Sequence, residues 1–247
     1  MTRLDQALVE QGLCDSREKA KRAILAGQVR LNAQPARKPG DVIKPGDTIT
    51  LEAGEKYVSR GGHKLEYALK HFQLEVAGLT ALDLGASTGG FTDCLLQHGV
   101  EKVFAVDVGR GQLAWKLRQD PRVVVMERTN ARLLTAAQFP QPFAPADLAV
   151  IDCSFISLRK ILPAAIPLLT PQGRIVALIK PQFEAGKSEA DKGRGVIRDT
   201  AVHQRVLAEV KNFVAAQSGL RWRNVVESPL LGPAGNKEFL ALIEKVG

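Results

Sequence analysis

The stretch from Leu79 to Val100, LTALDLGASTGGFTDCLLQHGV, limits the possible folds more than any other part of the chain. Leu79-Thr80-Ala81-Leu82 is an apolar run that reads as a buried strand ending at Asp83-Leu84. Gly85-Ala86-Ser87-Thr88-Gly89-Gly90 follows, where three glycines open backbone conformations closed to most side chains. Phe91 to Leu96 then has the apolar spacing of a helix start. Strand, glycine turn and helix form the first unit of a doubly wound sheet. Ligands of such sheets bind beyond the carboxyl ends of the strands.

The turn discriminates among ligands. A dinucleotide fingerprint is G-x-G-x-x-G, and here Ser87 stands where the second glycine would admit a pyrophosphate. The chain has no G-x-x-x-x-G-K-[ST] phosphate loop. Asp83, two residues before Gly85, suits a ligand carrying an ammonium group better than a phosphate. A second strand, Val103 to Val106, ends at Asp107, eighteen residues after Gly89, where a carboxylate grips a ribose. The pattern D-x-G-x-x-x-G-G with a second-strand acid is similar to S-adenosylmethionine sites. A tight strand–helix turn without a ligand is the plain alternative.

The rest of this region continues the alternation. Arg122–Met126, Asp147–Ile151 and Gly173–Ile179 read as further strands, with a helix from Ser157 to Leu169. Continuous apolar strands alternating with helices imply a parallel sheet covered on both faces. Gly85, Asp107, Asp152 and Lys180 then fall along one edge of it. Glu127 to Asn130 sits where an adenine belongs, and Glu238 opens a final apolar strand. Residues 182–198 are polar with three glycines, either a substrate lid or plain disorder. Before the sheet, Ser59-Arg60-Gly61-Gly62 reads as a hinge and a helix is expected from about His63 to Phe72. Lys64 opens that helix, an unfavourable place for a cation.

The first 58 residues differ in character. Two short helical patterns precede short strands punctuated by Pro39-Gly40-Asp41 and Pro45-Gly46-Asp47. Residues 17–44 hold eight Lys and Arg against two acids, so this stretch carries a net six of the chain's formal +8. That charge permits binding to a polyanion without proving it. The length of 247 residues suits one large domain with a small one attached. Cys14, Cys94 and Cys153 are scattered and odd in number, which excludes a disulfide framework and zinc spacing and fits a reducing cytoplasm. No metal is expected. The N-terminus lacks the apolar core of a signal peptide, and no stretch approaches the ~20 apolar residues of a spanning helix.

These motifs carry a resemblance to known families. R-L-D-Q-A-L (3–8), S-R-E-K-A-K-R-A-I (16–24), G-Q-V-R-L-N (27–32) and K-P-G-D-T-I (44–49) resemble the RNA-binding module of small-subunit ribosomal protein S-four. Lys64, Asp152, Lys180 and Glu238 follow the K…D…K…E order of the catalytic tetrad of FtsJ-like RNA ribose 2′-O-methyltransferases. With S-R-G-G-H-K-L, D-L-G-A-S-T-G-G-F-T, I-D-C-S-F, L-I-K-P-Q-F-E and G-N-K-E, the chain resembles the hemolysin/TlyA family of ribosomal RNA methyltransferases over essentially its full length.

The resemblance implies an α/β fold: a Rossmann-like methyltransferase with a mostly parallel seven-stranded sheet, last strand antiparallel, behind a small α+β RNA-binding domain. The implied organisation is 1–58 for the RNA-binding domain, 59–63 for a linker and 64–247 for the methyltransferase. S-adenosyl-L-methionine is the implied cofactor, held by Asp83, Gly85, Ser87, Gly89, Phe91, Asp107, Asn130 and Asp152. Arg3, Arg17, Lys19, Lys21, Arg22 and Arg30 are the implied RNA contacts. The implied activity is methylation of a ribose 2′-hydroxyl, of cytidine, in ribosomal RNA or ribosomal subunits, with no part for DNA and no membrane contact expected. Lys180 is the implied base, with Lys64 steering the hydroxyl and both acids orienting the lysines. Lys64 depresses the pKa of Lys180 while the acids raise it, so the net sign stays open at this level. A membrane-active hemolysin is the alternative that the family's name suggests.

If the basic stretch contacts phosphates, RNA affinity depends on counterion release. Filter binding between 50 and 200 mM salt should then show affinity for ribosomal RNA falling by about 10-fold or more. A flat salt dependence would remove residues 17–44 from the role of phosphate contacts.

Overall fold

The computed structural model describes residues 2–52, 54–186, 189, 191 and 193–246. The chain divides into two compact units, Met1–Lys56 and Tyr57–Gly247.

In the first unit β1 (Thr2–Arg3) leads into α1 (Leu4–Glu10), and α2 (Arg17–Leu25) follows. Ser16 caps α2 by accepting from Lys19 N at 3.3 Å, the usual use of a serine at a helix start. Strands β2 (Val29–Leu31), β3 (Gln34–Pro35), β4 (Val42–Ile43) and β5 (Ile49–Leu51) complete the unit. β2 pairs antiparallel with both β3 and β5, and β1 with β4. Leu4, Leu8, Ala20, Ile24 and Val29 form its small core. Asp5 is fully buried beneath the surface and takes Arg3 Nε at 3.0 Å and Arg17 at 3.1 Å. The Arg3 hydrogen bond, with Arg17 beside it, outweighs burial and holds the Asp5 carboxyl down at about 2.

The second unit is built on one sheet. After α3 (Gly61–His71) come β6 (Thr80–Leu84), α4 (Gly90–Gln97), β7 (Lys102–Val106), α5 (Trp115–Arg118), β8 (Val123–Met126), β9 (Ala146–Ile151), α6 (Leu162–Ala165), β10 (Leu169–Ile179), α7 (Pro181–Glu184), α8 (Thr200–Ala216), β11 (Leu220–Glu227) and β12 (Phe239–Lys245). The strand order is β11-β12-β10-β9-β6-β7-β8. β10, β9, β6, β7 and β8 pair in parallel, and β12 runs antiparallel to both β10 and β11. Alternate residues of each strand feed opposite layers. Leu82, Leu84, Phe104 and Ile151 pack with α6 and α8. Ala81, Val103, Leu148 and Leu178 pack with α3 and α4. This explains the continuous apolar strands: both faces of the sheet are covered. Among the described residues no helix is long and apolar enough to cross a membrane.

Three details depart from the sequence-based expectation. Residues 59–63 are not a linker. They belong to the second unit, and Gly61 opens α3 two residues before the expected start. The helix expected over Ser157–Leu169 is broken into α6 between two 3-10 turns, Leu158–Lys160 and Ile166–Leu168. Pro163 and Pro167 lack the N–H that a continuous helix needs. The polar stretch 182–198 begins in α7, and its positions 187, 188, 190 and 192 lie outside the described residues.

The boundary at Tyr57 has a measurable consequence. Tyr57 is 1% exposed and packs with Leu65, Phe91 and Leu95 in the core of the second unit, while Val58 N donates to Asp93 at 2.8 Å. A truncated chain starting at Lys56 should therefore fold with a higher urea midpoint than one starting at Ser59. The expected gap is about 3–5 kcal/mol, as for removal of a buried aromatic. Equal midpoints would place the boundary later.

Candidate active site

The carboxyl ends of β6, β7, β9 and β10 converge because the strands are parallel and in register. Leu84 pairs with Val106 and with Ile151, and Ile151 with Ala177. Gly85 follows directly, with φ +89°, and a Cβ there would stand 2.8 Å from the carbonyl oxygen of Asp152. Only a glycine lets the two strand ends approach this closely. Gly89, with φ +96°, serves packing instead: its absent Cβ makes room for Leu113 and Leu117.

Two adjoining cavities open at this edge. One, of about 490 Å³, is lined by Gly85, Ser87, Asp107, Asn130, Asp152 and Cys153 among others. Asp107 is fixed there by two backbone amides, from Ser87 N at 2.8 Å and Gly109 N at 2.6 Å. A carboxylate oxygen has more than one acceptor site, so both oxygens can still receive a hydroxyl. Asn130 caps the next turn by accepting from Arg132 N at 3.0 Å. A preset carboxylate, a side-chain amide and bare backbone at Gly85 suit a nucleoside.

The second cavity, about 600 Å³, is lined by Lys64, Ser87, Phe91, Asp152, Lys180 and Glu238, together with Ser154, Phe155, Gln182, Phe183 and Asn236. It brings together four residues from distant parts of the chain. Lys64 Nζ lies 2.5 Å from Glu238 Oε2, and both are buried. Lys180, also buried, donates to Ser154 Oγ at 2.9 Å. Asp152 Oδ1 stands 2.6 Å from the same ammonium as a charge partner. Each buried lysine thus has a carboxylate against it, as burial of a charge requires. The unfavourable cation in the first turn of α3 is explained by Glu238. Gly85, Ser87, Asp152, Ser154 and Phe155 line both cavities, so the Asp107 cavity and the lysine pairs meet there.

Asp83 lies elsewhere. It is fully buried, lines neither cavity, and accepts from Thr92 Oγ1 at 2.6 Å. The expectation that it faces a ligand's ammonium is not met in this arrangement. Burial pushes its pKa up to about 7; the Thr92 hydroxyl opposes the shift and the charge of Asp152 adds to it. Gly89 likewise lines neither cavity. Sequence reasoning missed Ser154, Phe155 and Phe183. Phe155 has φ +63°, is 89% exposed, and sets its ring centroid 5.0 Å from that of Phe183. Its aromatic character beside Asp152 was visible, but its exposure was not.

The expected RNA contacts lie in the first unit, and five of the six are ion-paired. Arg3 and Arg17 share Asp5, Lys19 pairs with Asp15, Lys21 with Glu18 at 3.8 Å, and Arg30 with Glu52. The pairs of Lys19, Lys21 and Arg30 are largely exposed, and surface pairs of this kind are weak enough to exchange for phosphate, whereas Arg3 and Arg17 are held on the buried Asp5.

Comparison with known proteins agrees with this geometry. Residues 57–245 match the FtsJ-like methyltransferase model, and residues 2–49 match the S4 domain. The chain belongs to the FtsJ-like methyltransferase family. Its members take their methyl group from S-adenosylmethionine, and the Asp107–Asn130 cavity fits the nucleoside part of that cofactor. The chain is 47% identical to the 16S/23S rRNA (cytidine-2′-O)-methyltransferase TlyA of Mycobacterium tuberculosis, covering 96% of this chain and 87% of the relative. It is 52% identical to Bacillus subtilis YqxC, provisionally named an rRNA methyltransferase, over 96% of this chain and 84% of that one. Among solved structures, a Streptococcus thermophilus protein provisionally named a hemolysin is 46% identical, with a TM-score of 0.74 over 99% of this chain and 88% of that one.

Asp83 yields a test by pH. A carboxyl with a raised folded pKa binds its proton in the native state before the unfolded chain does. Stability is then greatest below the unfolded value of ~4 and falls as pH rises to about 7. Asp83→Asn keeps an acceptor for Thr92 and cannot ionise. Relative to wild type it should gain about 1–4 kcal/mol between pH 5 and pH 8, read from urea midpoints. A gap that does not change with pH would show that Asp83 does not titrate in this range.

Proposed function

We propose that this methyltransferase transfers the methyl group of S-adenosylmethionine to the 2′-hydroxyl of a cytidine in ribosomal RNA, in the cytoplasm. The observation that carries the reading is the pair of buried lysine–carboxylate contacts facing one cavity, next to the Asp107 cavity. The S4 domain makes RNA the partner, and the ribose specificity and base follow the named activity of the Mycobacterium tuberculosis relative. The hemolysin name is carried by relatives, among them the Streptococcus thermophilus protein and Hemolysin A of Brachyspira hyodysenteriae, and is said of those proteins.

Asp107, Asn130 and the Gly85–Ser87 backbone would hold the cofactor, which would supply an electrophilic methyl group on a sulfonium. Attack by a hydroxyl on that carbon needs an in-line approach, so holding the two reactants together supplies much of the rate. Lys180 acts as the base: its ammonium first gives up a proton to solvent, the amine then takes the 2′-hydroxyl proton, and Asp152 at 2.6 Å stabilises the ammonium that is restored. Ser154 orients Nζ through its hydrogen bond. Lys64, held by Glu238, places a positive charge in the same cavity, which favours the developing alkoxide. Glu238 Oε1 is buried and has no hydrogen-bond partner among the described residues. Phe155, exposed on the cavity wall, offers an aromatic face to a base, as proteins do for unstacked RNA nucleotides.

Lysine can lose its proton and arginine cannot. Lys180→Arg should therefore be as slow as Lys180→Ala, about 10²–10⁴-fold below wild type in single-turnover methylation of ribosomal RNA. S-adenosylmethionine affinity by calorimetry should hardly change in either. An arginine variant within about tenfold of wild type would make Lys180 a cationic anchor and not the base.

A further inference from the structure

The loops after β9 and after β10 run side by side and are joined rung by rung. Asp152 meets Lys180 at 2.6 Å, Ser154 meets Lys180 at 2.9 Å, and Phe155 meets Phe183 with ring centroids 5.0 Å apart. The last rung is Glu184, whose side chain is 2% exposed. Its Oε2 accepts from Ser157 Oγ at 2.5 Å and its Oε1 accepts from Leu158 N at 2.7 Å. Arg159 closes the arrangement by donating to the Glu184 carbonyl at 3.1 Å.

Phe155 lies between the reacting rungs and this last one. At φ +63° it occupies the left-handed region, which is strained for a bulky side chain. Such a conformation persists only where its surroundings over-determine it. On the N-terminal side, Asp152 N is tied to Leu84 O at 3.0 Å. On the C-terminal side both ties, at Ser157 and at Leu158, go to Glu184. Phe155 itself is 89% exposed, so contacts to its own ring hold little of the loop.

We propose that Glu184 is a positioning residue of the active site. It holds the Asp152–Ser157 loop against the helix that follows Lys180, and so fixes Phe155 in its strained, outward-facing conformation. It touches no substrate and acts through Phe155. The role rests on the RNA methylation proposed above. Wild-type activity is the control for that reading: absence of methylation by wild type would sink it without bearing on Glu184.

The test is a double-mutant cycle in the full chain with ribosomal subunits as substrate. Glu184→Gln keeps the size of the side chain but puts an amide donor against one of two donors. It should lower kcat/KM for RNA by about 10–10²-fold, the effect of misplacing a reacting geometry. S-adenosylmethionine affinity should fall far less than kcat/KM: the Asp152–Ile156 segment forms one wall of the Asp107 cavity, but Asp107 and Asn130 themselves lie on other loops. Phe155→Ala should cause a similar loss, and the double variant should lose no more than the worse single one, since coupled residues do not add. Ser157→Ala removes the hydroxyl tie to Glu184 together with the bonds that hydroxyl accepts from Arg159 N and Nε, and leaves Leu158 N on Glu184. It should show a smaller loss in the same parameter and stands in if Glu184→Gln does not fold. Wild-type kcat/KM in Glu184→Gln (or in Ser157→Ala, where it stands in), additive losses in the cycle, or a matching fall in cofactor affinity would each overturn the proposal.

Discussion

Among the described residues two lysines are buried, and each is tolerable only because a carboxylate stands within 2.6 Å of it. An ammonium taken out of water without a partner loses more solvation than any single contact returns. The pairing therefore constrains everything around it. Lys64 lies on the first helix of the sheet domain and Glu238 at the head of its last strand. Their contact requires that β12 run antiparallel to β10, bringing its start to the edge where the parallel strands end. Lys180 and Asp152 end neighbouring parallel strands, so strand order alone brings them together.

The sheet edge works because of backbone as much as charge. Gly85 allows the carbonyl of Asp152 to approach within a distance that no Cβ permits. That closeness draws the glycine turn and the β9 loop into one wall shared by both cavities. The buried Asp83 behind it is a cost: its carboxyl is held near neutrality by burial, with one hydrogen bond from Thr92 against it.

The small domain uses charge differently. Lys19, Lys21 and Arg30 are engaged with acids at the surface, where water screens the charges and the partners exchange readily. Asp5 is the exception, fully buried and shared by Arg3 and Arg17, so those two guanidinium groups are held while the others are free to reorient.

Local chemistry legible in the sequence was enough for the architecture. The apolar strand and the glycine turn announced a doubly wound sheet, and the basic module in front announced a second domain. These signals are local or periodic, so they survive without coordinates. The K…D…K…E order also named the four residues, through resemblance and not through spacing. What the tertiary structure decided is which lysine meets which acid, that Asp83 and Gly89 face the interior, and that Phe155 stands exposed on a strained backbone. It also decided that Tyr57 belongs to the core of the second unit. Each of these depends on contacts between residues far apart in the chain, as Lys64 and Glu238 are, and no local pattern encodes which face of a turn is left open once the strands have closed around it.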